Sequence, residues 1–275
     1  MAANSILSLP IYSHVGKKIV YIISTFDILN FVVAKLGNTS LEDAQSKLDV
    51  SIEAAMTLDS ESESYRILES DYQDKLHDVL HDFAQGAHRA LITDATHRRK
   101  SYVFTQTDII RYVYDHPAIV SPEISLDKTL QQLGLIRSER PVTLISDRES
   151  AYDGFKRMAV QKLLALPIVD SANHVVGTLS ASDLRGLTDK TLSHLKSPVA
   201  EFLQAAARPI PKVENLVCSP EDTLLKVIQT LTQNRIHRVW VTDEHMKPIG
   251  VVSQTDVIAV LVGLPVGSPT RIRSE

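Results

Sequence analysis

A hydroxyl residue followed three positions later by an aspartate occurs four times in this chain. Each time, a β-branched stretch there gives way to an apolar helical start. The copies are Ser24 with Asp27, Thr105 with Asp108, Ser180 with Asp183, and Ser253 with Asp256. Two readings of this pattern compete. As a variant of the capping box, the hydroxyl accepts from a first-turn amide and the carboxylate suits the positive helix end. As a ligand site, the unpaired amides of a helix N-terminus attract an anion. An aspartate there offers two oxygens to a vicinal diol such as that of a ribose. Phosphates would then need cations from a neighbouring element. Two copies supply them at one place: His88-Arg89 lies 17 residues before Thr105, and His237-Arg238 lies 16 before Ser253. A solvated basic face explains either pair alone. Their recurrence at one point of the repeat points to phosphate.

The aspartates lie 81, 75 and 73 residues apart, so the repeating unit is a small domain rather than a solenoid turn. Upstream of each aspartate runs a strand-like stretch: Leu9-Pro10-Ile11-Tyr12, Arg89 to Asp94, Leu166 to Asp170, and Arg238 to Asp243. A polar turn such as Asp243-Glu244-His245-Met246-Lys247-Pro248 joins it to the next strand. Further upstream, Leu224, Leu225, Ile228 and Leu231 fall at helical spacing, as do Leu76, Val79, Leu80 and Phe83. Pro220 and the acids after it suit a first helical turn. One more short strand is predicted before each helix, over 142–145, 216–218 and 65–68. The unit reads strand, helix, strand, strand, helix, a mixed α/β architecture. Its copies are placed at residues 62–116, 139–190 and 210–264, with a partial copy at 1–37. The opening strand should stand about 40 residues before the aspartate, which for Asp27 falls before the first residue. The first copy is therefore predicted to hold only its C-terminal half, either because the gene product is truncated or because another chain or segment supplies the other half. Asp59 to Ser64 is predicted to be a mobile acidic loop, residues 116–140 and 205–214 to be linkers, and 265–275 a disordered tail.

The chain has 275 residues, 44% hydrophobic and 23% charged. That composition excludes a mostly disordered protein and allows about two domains. Its 29 basic and 33 acidic residues leave a net charge of −4, unfavourable for general nucleic-acid binding. The one cysteine, Cys218, excludes an internal disulfide and a cysteine-based zinc site. No apolar run approaches a bilayer span, and the first ten residues lack a signal-peptide pattern. A cytoplasmic or nuclear protein without membrane partners is expected. Among ten histidines none shows His-Glu-x-x-His spacing, and no Gly-x-x-x-x-Gly-Lys loop is present. His77 and His81 stand four apart but no third ligand is evident, so neither catalysis nor a metal site is expected.

The four units resemble cystathionine-β-synthase (CBS) domains. Ile236-His237-Arg238-Val239 followed by Gly250 to Asp256 resembles the γ subunits of AMP-activated protein kinase. The resemblance implies four repeats packed as two pseudo-two-fold (Bateman) pairs, with clefts that take AMP, ADP or ATP as regulatory ligands. It implies that Asp27, Asp183 and Asp256 hold riboses and that Ser24, Ser180 and Ser253 line the same helix starts, with Thr105 and Thr255 beside them. His88, Arg89, His237, Arg238 and the linker residue Arg208 would hold phosphates, while Ile145, Leu164 and Ala165 would touch the base. Where animal γ subunits carry basic residues near the second helix start, this chain has Thr107 and Asp108. That removes one phosphate ligand and opens a further ribose carboxylate at Asp108. The implied partners are a protein kinase catalytic subunit of the AMP-activated or SNF1-related type and a β-type scaffold subunit, and the implied role is energy sensing. The alternatives are a CBS scaffold that has lost its ligand and a sensor of another adenosyl ligand, such as S-adenosylmethionine.

Overall fold

The computed structural model describes residues 6–13, 15–16, 18–36, 50–52, 67–96, 98–120, 124, 126–136, 141–185, 189–206 and 211–266. The order strand, helix, strand, strand, helix is written twice in full, a third time with a 3-10 turn in place of the last helix, and once as its last three elements alone. The short copy is β1 (Ser8–Ser13), β2 (Lys18–Ser24) and α1 (Thr25–Leu36). The second copy is β3 (Glu69–Asp71), α2 (Leu76–Ala84), β4 (Arg89–Thr93), β5 (Tyr102–Thr105) and α3 (Gln106–Asp115). The third is β6 (Ile145–Ser146), α4 (Ala151–Gln161), β7 (Ala165–Val169), β8 (Val175–Ser180) and a 3-10 turn over Ala181–Leu184. Two short helices follow it, α5 (Asp189–Ser193) and α6 (Val199–Ala205). The fourth is β9 (Val217–Cys218), α7 (Leu224–Gln233), β10 (Arg238–Thr242), β11 (Pro248–Ser253) and α8 (Gln254–Leu261).

Each three-stranded sheet has its middle strand in the centre, parallel to the opening strand wherever the register is described: β4 beside β3, β7 beside β6, and β10 beside β9. The parallel link is possible because a helix makes the crossover. The last strand returns antiparallel, β5 on β4 and β11 on β10, while β1 and β2 form a two-stranded sheet. The antiparallel turns are held by an aspartate at the strand end. Asp243 Oδ1 accepts from the amides of His245 and Lys247 at 2.9 and 2.8 Å, and Asp170 Oδ1 from that of Ala172 at 2.9 Å. A second device recurs before each opening helix. An acid accepts the amide three residues before it, at or one residue past the strand end: Asp74 from Asp71, Glu149 from Ser146, and Asp222 from Ser219, all at 2.7 to 2.8 Å.

The chain divides into two compact units. The first comprises residues 1–67, 143–172 and 176–210, and the second 68–142, 173–175 and 211–275. Each therefore unites alternate copies. In the first unit, Leu29, Val32 and Leu36 of α1 share a buried core with Phe155 and Met158 of α4 and Phe202 of α6. The rings of Phe155 and Phe202 meet edge to face, 5.4 Å apart. In the second unit, α2, α3, α7 and α8 enclose Phe83, Ile110, Ile228 and Ile258, all fully buried.

Several expectations are corrected. The described opening strands are shorter and later than 142–145 and 65–68, running over Ile145–Ser146 and Glu69–Asp71, and the acid straps mark where they end, while residues 65 and 66 lie outside the described residues. Helix α7 starts at Leu224 with Thr223 as its cap, accepting from the Lys226 amide. Asp222 turns back onto Ser219 instead of entering the helix. Leu76 opens α2 at the surface rather than in its apolar face. The third copy closes in a 3-10 turn, and Gly186 and Thr188 just beyond it are poor helix formers. The segment between copies two and three is more than a spacer. Leu130 and Leu135 are buried in the second core, and Leu130 donates its amide to the Asp222 carbonyl at 3.0 Å. Val266 packs against that core as well, while residues 267–275, and Asp59 to Ser64, lie outside the described residues. Among the described residues no helix is long and apolar enough to cross a membrane, and no group of three metal-ligating side chains forms.

Gly154 in α4 lets that helix lie close on the third sheet. A Cβ there would stand 2.5 Å from Leu179 Cδ2 and 2.7 Å from Ile145 Cδ1, both on fully buried side chains. Gly154→Ala should therefore destabilise the protein by about 1–3 kcal/mol, overriding the helix-propensity gain of about 1 kcal/mol. Urea unfolding of wild type and variant would measure it.

Candidate functional site

All four hydroxyl–aspartate pairs sit where a last strand turns into a helix or 3-10 turn, and each makes the capping contact. The Oδ2 of Asp27 accepts from the Ser24 amide and hydroxyl at 2.7 and 2.8 Å. That of Asp108 accepts from the Thr105 amide and hydroxyl at 2.9 and 2.7 Å, and that of Asp256 from those of Ser253 at 2.8 and 2.5 Å. Asp183 Oδ2 accepts from the Ser180 amide at 2.7 Å. The bland reading is thus correct for every copy. It occupies one carboxylate oxygen and leaves the other to be accounted for. Asp27, only 2% exposed, keeps its Oδ1 buried with no hydrogen-bond partner among the described residues. Asp108 and Asp256 are half-buried, and their Oδ1 atoms carry no hydrogen bond from the described residues.

The basic pairs stand beside these caps by strand register. The amide after each cap donates to the carbonyl just before the middle strand: Thr25 to Leu7, Gln106 to His88, Ala181 to Leu164, and Gln254 to His237. The next residue pairs across the ladder with the cap itself, as Ser8 with Ser24, Arg89 with Thr105, and Arg238 with Ser253. One structural position thus reads Leu7-Ser8, His88-Arg89, Leu164-Ala165 and His237-Arg238 through the four copies. Both basic pairs fall in the second unit. The first unit has small and apolar residues there.

Arg238 is the most informative of these side chains. No described residue accepts a hydrogen bond from its guanidinium, and no ion pair holds it. Burial pushes its pKa down to about 10, and the field of Asp256 offsets only part of that cost. The group stays protonated at neutral pH, so the structure holds a half-buried cation beside a carboxylate whose Oδ1 takes no hydrogen bond from the described residues. Of the other expected site residues, Ile145 is fully buried in the first core, Ala165 is buried, and Leu164 is half-buried. Arg208 lies outside the described residues.

The residues after the caps carry an arrangement that the sequence reading missed. Gln106 Nε2 stands 2.9 Å from Thr255 Oγ1, and Thr107 Oγ1 donates to Gln254 Oε1 at 3.2 Å. These are reciprocal contacts, since Gln106-Thr107 in one copy corresponds to Gln254-Thr255 in the other. The signal was visible as the repeated Gln-Thr-Asp. Gln106 also donates to the Phe83 and Ala87 carbonyls at 3.0 Å each. The Thr255 hydroxyl, expected near the ligand, takes part in this joint between helix starts.

Residues 136–188 and 207–263 match the family model described as the CBS domain, and the chain carries a pair of CBS domains there. More particularly, it resembles regulatory γ subunits of protein kinases. It is 29% identical over 219 residues to the SNF1-related protein kinase regulatory subunit gamma-like PV42b of Arabidopsis thaliana, covering 67% of this chain and 60% of that protein. It is 26% identical over 181 residues to the 5'-AMP-activated protein kinase subunit gamma-3 of Homo sapiens, covering 66% of this chain and 36% of that protein. The chain thus spans less than two thirds of either relative. Among solved structures, a Methanocaldococcus jannaschii protein described as a candidate archaeal homologue of γ-AMPK aligns with a TM-score of 0.65 at 19% identity. The alignment covers 93% of this chain and 88% of that one. An uncharacterised Pyrococcus horikoshii protein aligns with a TM-score of 0.56 at 17% identity, over 94% and 97%. At these identities the likeness is one of fold.

Gln106 is 4% exposed, and its amide serves two backbone carbonyls of its own copy and a hydroxyl of the other. Gln106→Ala removes the side-chain donor to the Ala87 carbonyl and the contact with Thr255, while the Phe83 carbonyl keeps the Gly86 amide, and should cost about 1–3 kcal/mol, read as a lower urea midpoint. Unchanged stability would show the joint to be dispensable.

Proposed function

We propose that this chain is a non-catalytic regulatory protein that binds an adenine nucleotide at the cap ends of its second unit and passes the occupancy to a protein kinase. The observation that carries the reading is Arg238: a half-buried guanidinium with no hydrogen-bonded partner among the described residues, paired across the ladder with Ser253, the cap that Asp256 completes. A phosphate supplies the missing acceptors as bidentate, charge-assisted hydrogen bonds. The Oδ1 of Asp256 accepts a ribose hydroxyl while its Oδ2 keeps the helix capped. His237 adds a donor at the preceding position. The second copy repeats the set with His88, Arg89, Thr105 and Asp108. AMP, ADP and ATP differ in the charge they bring to such a site, so they stabilise different populations of the protein. The relatives named as kinase regulatory subunits support a partner of the AMP-activated or SNF1-related type, with a β-type scaffold completing a cytoplasmic or nuclear complex.

Removing a charged hydrogen-bond partner worth about 1.5–3 kcal/mol should weaken AMP binding by about tenfold or more in Arg238→Ala. Titration calorimetry on wild type and variant decides this, and equal affinities would reject the site. A thermal-shift series with AMP, ADP, ATP and S-adenosylmethionine separates the readings further, because stabilisation grows with the logarithm of ligand concentration over Kd. A flat response to all four would favour a scaffold without a ligand.

A further inference from the structure

At the far end of β4 and β5 from the cap, the connecting turn carries Arg98, Arg99 and Lys100 in succession, all exposed. Strand register places them well away from the site above: Arg89 pairs with Thr105 at one end and Ile92 with Tyr102 at the other. The equivalent turn of the fourth copy, between Asp243 and Pro248, holds Glu244, His245 and Lys247, and that of the third holds Ser171 and Asn173. All three turns use an aspartate anchor, so the turn geometry does not call for cations.

The described residues of the turn are tied down by carboxylate-to-amide hydrogen bonds. Asp94 accepts from the Thr96 amide and hydroxyl at 2.8 and 2.5 Å and from the Arg99 amide at 2.9 Å. Asp71 accepts from the Ala95 and Gln73 amides at 2.7 and 3.0 Å, and Asp74 from the Asp71 amide at 2.7 Å. Three carboxylates therefore lie nearby, but they face the backbone amides. None forms an ion pair with Arg98, Arg99 or Lys100 among the described residues. Two tyrosines floor the cationic side. Arg99 stacks over the Tyr72 ring at 4.8 Å, and Tyr72 meets the half-exposed Tyr102 edge-on at 5.5 Å. The Tyr72 hydroxyl donates to the Lys100 carbonyl at 3.4 Å.

We propose that this turn is a docking site for a short acidic segment of a partner protein. Guanidinium groups on a fixed backbone pair bidentately with aspartate and glutamate side chains. The Tyr72 and Tyr102 rings give an adjoining flat contact for an apolar or aromatic neighbour of those acids. A short peptide fits the charge pattern better than an extended polyanion. The chain as a whole carries −4, which repels nucleic acid or an anionic bilayer beyond the reach of one turn. The surface is separate from the nucleotide reading and does not depend on it.

The test uses a fluorescein-labelled peptide, Glu-Glu-Phe-Glu-Glu-Leu-Glu, with fluorescence anisotropy on the whole chain at low ionic strength. Wild type should bind it, and the triple variant Arg98→Glu, Arg99→Glu, Lys100→Glu should bind at least about tenfold more weakly. The variant should stay folded, its melting temperature lowered at most by the loss of the Arg99 stack on Tyr72, because the three side chains are exposed and the turn is held by Asp71 and Asp94. Tyr72→Leu should weaken binding by a smaller factor while keeping every charge. Equal peptide affinity in wild type and triple variant would overturn the proposal. So would a labelled oligothymidylate, or vesicles containing phosphatidylserine, that bound wild type more tightly than the peptide and lost binding in the triple variant.

Discussion

Each last strand of this protein must stop at the sheet edge and become a helix within one residue, and a single carboxylate oxygen makes that possible. It takes the amide of the residue at the strand end and, in three of the copies, the cap hydroxyl as well. Without that acceptor the junction would hold unpaired amides at a half-buried place, at a cost of order 1 kcal/mol or more per group. Because an aspartate has two oxygens, the same residue that makes the junction also presents a second acceptor at the helix N-terminus. Structure and ligand chemistry are therefore not rival explanations of this motif. They use different atoms of one side chain.

The two units divide the work unevenly. Both have caps, and both bury helices against sheets. Only the second places a histidine and an arginine beside its caps, while the first has Leu7-Ser8 and Leu164-Ala165 at those positions and hides Asp27 almost completely. A carboxylate oxygen buried without a partner is costly, and the structure shows no described group that relieves it. Arg238 lies in the second unit, and the Oδ1 of Asp27, without a hydrogen-bond partner among the described residues, in the first.

Much of this was legible from residue order. The four hydroxyl–aspartate pairs, the middle strands and the mixed α/β class follow from a period-2 pattern breaking into a helix start, a signal carried by adjacent residues. The basic pairs were legible because they recur at a fixed separation. Three things were not. The opening strands of two or three residues are too short to show alternation, and their limits depend on Asp74, Glu149 and Asp222 folding back. The joining of alternate copies depends on contacts between residues about 150 positions apart, such as Gln106 with Thr255, to which local patterns are blind. The burial of Leu130 and Leu135 in a segment that reads as a linker follows from the same non-local packing.

The crossed glutamine–threonine contacts also bear on how this sequence can drift. Each glutamine serves a threonine that belongs to the other copy, so neither dipeptide is free to vary alone. A change at 106 alters the surroundings of 255, and one at 254 those of 107. In descendants of this chain the two stretches should be exchanged as a matched set, and an ancestral duplication would remain readable there longest.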